Sequence, residues 1–285
     1  MSWPGNVLSL RAGDLTLALR PDIGASVAGL WLGGLPVLRS VEPASLAQPR
    51  AGGCFALVPY SNRLGHRRFR WRGRDYRVEP NFEGSPHALH GVAWRRAWEV
   101  ADVGDSYAEL RLVHRADDDW PFHFEVHQRF ALTPQSVELS LAFANADEIE
   151  QPVGLGWHPY FPKRARSRLH IEIAERWEAS ALQLPTRKVA QPGIDADVVH
   201  LDFDHCFEGW SGAARIRDEK LSLRLTSSLP RLIVFTPRER DFFCVEPVSH
   251  VPNAIHMAQP LEHGLVAVAP GQSIDAWMKL EIATA

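Results

Sequence analysis

Two groups in this chain are placed to move protons, His158 within Gly156-Trp157-His158-Pro159-Tyr160-Phe161 and Glu246 at the end of an apolar run. Read as a strand, 153–161 sets Val153, Leu155 and Trp157 on one face and Gly154, Gly156, His158 and Tyr160 on the other. Two absent side chains leave space beside an imidazole and a phenol. Glycine inside a strand often marks the close approach of a ligand or of another backbone. The same pattern also fits a bulge around a buried, hydrogen-bonded histidine. In 241–247, Phe243 and Val245 face one way, while Phe242, Cys244 and Glu246 face the other. Pro247 keeps Glu246 extended. A carboxylate beside Phe and Cys is either an exposed strand end or a desolvated group with a raised pKa, and the second state suits a general base.

Three polar segments accompany them. Residues 86–91 read as a loop that presents His87 and His90, too few ligands for a strong metal site. Residues 59–65 form a polar turn in which Arg63 could fork onto vicinal hydroxyls or a carboxylate. In 201–207, Asp202 and Asp204 sit among apolar residues. Separately, His123, Glu125 and His127 share one face of a strand, either a solvated polar face or a cupin-like metal face. No phosphate-cradling glycine loop and no nucleophile elbow is present.

The elements that must position these groups read as strands. Apolar and polar residues alternate over 107–113, 122–130 and 137–143, each run bounded by turn formers. Shorter runs recur near 15–20, 25–32, 68–78, 169–173, 221–227, 231–236, 242–246, 265–269 and 274–282, and no amphipathic helix of four turns is visible. Short strands at regular spacing predict an all-β sandwich or barrel. No linker or repeat interrupts residues 1–285, so one domain is expected. The net charge of −3 carries no polyanion-binding signature, and the basic run 66–74 reads as the solvated face of a hairpin. Cys54, Cys206 and Cys244 show neither pairing nor metal spacing, residues 1–6 show no signal peptide, and no apolar run is long enough to span a bilayer. A soluble, cytoplasmic protein binding neither nucleic acid nor membrane is the expectation, with a homodimer left open.

Taken in order, these segments resemble the aldose 1-epimerase (galactose mutarotase) family. The matching motifs are Asn62-Arg63, Leu89-His90-Gly91, His158-Pro159-Tyr160-Phe161, Phe203-Asp204-His205 and Glu246-Pro247 followed by Pro252-Asn253-Ala254. The resemblance covers roughly 55–255. Pro162-Lys163 and Val92 stand where galactose-active members carry Asn-Leu and a second glycine, which resembles a more divergent bacterial branch. The resemblance implies a large antiparallel β-sandwich holding a monosaccharide on its concave face without cofactor or metal. It implies His158 as general acid, Glu246 as general base, and Arg63, His90 and Asp204 as binders of ring oxygen and hydroxyls. In that mechanism Glu246 and His158 act from opposite sides of the sugar, and His158 stays charged near neutrality. Two rivals remain: a hexose-6-phosphate epimerase with Arg67, Arg68, Arg70, Arg95 and Arg96 as a phosphate clamp, and a non-catalytic carbohydrate-binding protein.

Overall fold

A computed structural model describes residues 6–285, so the N-terminal stretch read for a signal peptide lies, over 1–5, outside them. Among the described residues the regular elements are strands and three-residue 3₁₀ turns. The chain is all-β, a large antiparallel sandwich. One sheet has nine strands in the order Glu99–Val103, Tyr107–His114, Phe124–Thr133, Ser136–Asn145, Ser273–Thr284, Leu221–Ser227, Ala213–Arg217, Arg168–Ile171 and Ile194–Asp197. The facing sheet runs Pro185–Ala190, Glu175–Ala179, Asp204–Glu208, Arg231–Phe235, Phe242–Val248, Gly156–Trp157 and Ala56–Leu57, with Tyr160–Pro162 also paired to Phe242–Val248. An N-terminal sheet of Leu8–Ala12, Leu15–Arg20, Ser26–Leu32 and Leu35–Pro36 completes the core.

The alternation read from sequence explains the packing. In Phe124–Thr133, Phe124, Val126, Gln128, Phe130 and Leu132 are buried, and the odd-numbered residues between them turn outward. One buried cluster draws Leu110, Phe130 and Phe143 from the nine-stranded sheet together with Leu232, Val234, Phe243 and Val245 from the facing one. Each such side chain contributes about 1.5–3 kcal/mol on burial. The other face of the second sheet carries Phe55, Tyr160, Cys206, Ile233 and Cys244, a separate cluster at the floor of a cleft. Odd positions of 242–248 therefore feed the core and even ones the cleft. That parity sends Glu246 into the site.

The basic run forms the expected hairpin, Arg68–Trp71 with Arg74–Arg77, burying Phe69 and Trp71 and leaving Arg68 and Arg70 outside. His127 lies on the outer face of the nine-stranded sheet, where Glu109 and Glu125 each hold one ring nitrogen at 2.8 Å. Both nitrogens serve ion pairs, so 123–127 is a polar face and not a gathered metal set. No helix among the described residues is long and apolar enough to cross a membrane.

Candidate active site

The cleft, of about 530 Å³, is lined by all five residues singled out from the sequence: Arg63, His90, His158, Asp204 and Glu246. His158 follows the short strand Gly156–Trp157, and its backbone N–H donates to the Phe55 carbonyl at 3.0 Å. Its ring packs against both Phe55 and Tyr160, with centroid separations of 5.0 and 4.5 Å, and those two rings also meet each other at 6.3 Å. Nε2 lies 3.3 Å from Glu246 Oε1. The remaining polar atoms, His158 Nδ1 and Glu246 Oε2, are buried without a hydrogen-bond partner in the protein. Buried polar atoms are rarely left so, and a bound polar molecule would satisfy them.

Burial decides where the charge goes. It pushes the Glu246 carboxyl well above the usual carboxylate range, helped by the Asp204 carboxylate and opposed by Arg63. Burial also pushes His158 well below the usual histidine value, reinforced by His90, Arg39 and Arg50. This corrects two expectations. His158 does not retain its charge near neutrality by itself, because the two rings that fix its orientation also exclude water. Nor do the two groups flank the cleft from opposite sides; they adjoin. Burial thus disfavours the charged form of each member of the pair.

Arg63 is fixed locally. The Asn62 side-chain oxygen accepts from the Arg63 backbone N–H at 2.9 Å and from Nη1 at 3.1 Å, and Asp204 lies 3.8 Å from Nη2. His90 is buried, donates its backbone N–H to Asn62 O at 2.8 Å, and accepts the Asn62 N–H on Nδ1 at 3.2 Å. Burial lowers its pKa to about 3, so the ring is neutral and can donate through Nε2. His87 goes elsewhere: Nδ1 accepts the His66 N–H at 2.9 Å and Nε2 donates to Leu182 O at 3.0 Å, so 86–91 does not present two imidazoles together. His158, Cys244 and Glu246 place donor atoms within 4.8 Å of one another. Burial pushes the Cys244 thiol well above its usual range.

The space that Gly154 opens is filled by protein. A Cβ there would lie 1.9 Å from the His250 ring, and one at Gly156 would lie 2.8 Å from Pro247 O. These glycines admit close neighbours and not a ligand. His250, which no sequence pattern marked, donates Nδ1–H to Val251 O at 2.7 Å and accepts the Ser61 N–H on Nε2 at 3.0 Å. It anchors the turn that carries Asn62 and Arg63. The suggested phosphate clamp is not assembled in the cleft. Arg96 pairs with Asp117 and Asp119 at 2.7 and 2.6 Å, Arg95 with Asp119 at 3.9 Å, and Arg70 with Asp75 at 3.4 Å.

A second residue without a sequence signal is Gln183, at the tip of the hairpin Glu175–Ala179/Pro185–Ala190, where its side-chain oxygen accepts from Arg63 Nη2. Its φ of +58° is a conformation that suits glycine. A Gln183→Gly variant should hold or gain up to about 1 kcal/mol of stability, because the left-handed cost disappears. At the same time it should raise the KM for substrate several-fold by freeing the guanidinium. Thermal melts and steady-state kinetics on one preparation check this; an unchanged KM removes Gln183 from the site.

The β-sandwich is that of a sugar-epimerase family, and its cleft holds a buried imidazole–carboxylate contact, an arginine and a second histidine. The chain belongs to the aldose 1-epimerase family, whose model matches residues 6–281. The uncharacterized protein YphB of Escherichia coli K12 is 32% identical over 97% of this chain and 98% of that protein. A crystal structure of a candidate aldose 1-epimerase from E. coli K12 superposes with a TM-score of 0.89 at 30% identity, covering 98% and 99% of the two chains. A galactose mutarotase-like protein from Clostridium acetobutylicum reaches 0.88 at 19% identity, over 100% and 97%, a likeness of fold alone.

Proposed function

We propose that this protein is a mutarotase, interconverting the α and β anomers of an aldose by acid/base-catalysed ring opening and closure. The observation that carries the reading is the 3.3 Å contact of His158 Nε2 with Glu246 Oε1 at the floor of a sugar-sized cleft. Mutarotation removes a proton from the C1 hydroxyl and delivers one to the ring oxygen. Both oxygens are bonded to C1, so an acid and a base standing side by side can serve them. Passing the shared proton from Glu246 to His158 gives a carboxylate base and an imidazolium acid. Glu246 then takes the hydroxyl proton, His158 protonates the ring oxygen, and the C1–O5 bond breaks. Rotation about C1–C2 and reversal of both transfers close the other anomer. General acid–base catalysis contributes about 10²–10⁴ in rate. Arg63, His90 and Asp204 hold the sugar hydroxyls, an orienting contribution.

NMR anomer exchange across free and charged aldoses tests the reading, and a panel without any accelerated exchange rejects it. The same measurement carries a pH prediction. The active pair holds one proton, and burial disfavours both the doubly protonated cation and the fully ionised anion. The acid limb of kcat/KM should therefore lie below the ordinary histidine value, because His158 protonates late as pH falls. The alkaline limb should lie above the ordinary carboxylate value, because Glu246 gives up its proton late. A single limb centred on the ordinary histidine value contradicts this.

A further inference from the structure

One guanidinium in the cleft is unexplained by a neutral sugar. Arg39 lies with Cζ 3.9 Å from the Tyr160 ring centre and 4.5 Å from that of Phe242. Its Nε and Nη2 donate to Gly52 O at 3.0 and 2.8 Å, and Nη2 also reaches Arg50 O. Tyr160 is the one side chain that meets this half-buried charge through a hydrogen bond, and among the described residues no carboxylate forms an ion pair with it. Partly removing a charge from water without a counter-charge is unfavourable, so such an arrangement favours an anion beside it. Burial lowers the Arg39 pKa, and the Asp241 carboxylate beyond the cleft lining opposes this only as a minor influence.

Arg39 is not alone. Arg50, stacked 4.4 Å over Phe82, and Arg240 line the same cleft, and both are exposed and outside any ion pair among the described residues. Four arginines therefore face two carboxyl groups there, Asp204 and Glu246. Asp204 is matched by Arg63, and Glu246 keeps its proton to higher pH. The cleft is strongly positive in a chain of net charge −3. Hydroxyl groups can be bound by neutral donors, whereas three unpaired guanidiniums concentrate and fork onto an anion.

Building on the mutarotase reading, we propose that the aldose carries an anionic substituent, a carboxylate or phosphate remote from C1, received by Arg39, Arg50 and Arg240. The source of the charge is what the experiment separates. Anomer exchange is measured by NMR at low ionic strength with D-glucose, D-glucuronate and D-glucose 6-phosphate, each corrected for its uncatalysed rate. At least one acid should exceed glucose tenfold or more in kcat/KM, and added sodium chloride should shrink that advantage. A preference for glucuronate identifies a carboxylate, and a preference for glucose 6-phosphate identifies a phosphate. The double variant Arg50→Gln/Arg240→Gln alters two exposed side chains. It should cut the acid-to-glucose ratio tenfold or more, and Arg39→Lys should cut it as well. Glucose turned over as fast as both acids, or a double variant that lowers all three rates in proportion, overturns the assignment. No acceleration with any of the three overturns the mutarotase reading, and this assignment with it.

Discussion

Glu246→Gln is expected to lower kcat for anomer exchange by two orders of magnitude or more while leaving a protein at least as stable as the parent. The amide keeps the shape of the carboxyl but can neither accept nor return the C1 hydroxyl proton. One lost proton transfer corresponds to about 10²–10⁴ in rate. The stability sign follows from linkage. The folded-state pKa of Glu246 is raised, so its favourable contribution is present below the ordinary carboxylate pKa and is lost as pH rises toward the folded value. At neutral pH the parent holds a group whose ionisation the fold opposes, and glutamine removes that burden. His158→Ala should lose a comparable factor in kcat. It also removes a buried ring that packs against both Phe55 and Tyr160, at a cost of about 2–3 kcal/mol by analogy with large-to-small core changes. Polarimetry on a freshly dissolved pure anomer measures the rates, and thermal melts the stability. Near-parental rates in Glu246→Gln would discard the proton-transfer assignment, whatever the family membership.

How much of this was legible in the sequence differs by element. The long central strands announced themselves because each buries one face, so Phe124, Val126, Phe130 and Leu132 alternate with polar residues. Among the strands that carried no signal, Glu175–Ala179, Asp204–Glu208 and Ala213–Arg217 lie inside their sheets, where the runs are short, and others lie at sheet edges. Glu99–Val103 is exposed along its whole length, and Pro185–Ala190 and Ile194–Asp197 end their sheets. An edge strand with both faces wet has no reason to alternate, and polar residues there discourage pairing with another chain. The hairpin over 68–77 read as one run because Phe69, Trp71 and Tyr76 continue the apolar pattern through the turn at Gly73.

The site shows the same division. Arg63, His90, His158, Asp204 and Glu246 were singled out because each stands in a short motif that resembles those of the aldose 1-epimerase family. Arg39, Arg50, Arg240, Gln183 and His250 reach the same region from ordinary strand ends and loops, where nothing in the local pattern separates them from surface residues. The charge state of His158 could not be read either. It depends on Phe55 and Tyr160, one of them more than a hundred positions away. Parity along 242–248 was a local property and transferred intact; desolvation is a tertiary property and did not.

The segment Leu89-His90-Gly91 yields the second large effect, on stability. Gly91 has φ +68°, and a Cβ there would lie 2.1 Å from the Val58 carbonyl oxygen and 2.4 Å from its carbon. That carbonyl accepts the Val92 and Ala93 N–H groups at 2.9 and 3.2 Å, so it cannot withdraw without breaking both bonds. His90, itself at φ +63°, is tied to Asn62 through two hydrogen bonds, so any shift of the loop also moves the turn that carries Arg63. An L side chain in the left-handed region costs about 1–2 kcal/mol, and the backbone clash adds about as much again or more. Gly91→Ala should therefore lose about 3 kcal/mol or more, a fall in Tm of about 6 °C or more for a chain this size. Gly73→Ala is the internal control, because Gly73 has φ +80° with no atom within 4 Å of the added carbon. It should lose only the conformational share. If the two variants melt within a degree or two of each other, the Val58 carbonyl is yielding, and the loop that carries His90 is softer than its contacts imply.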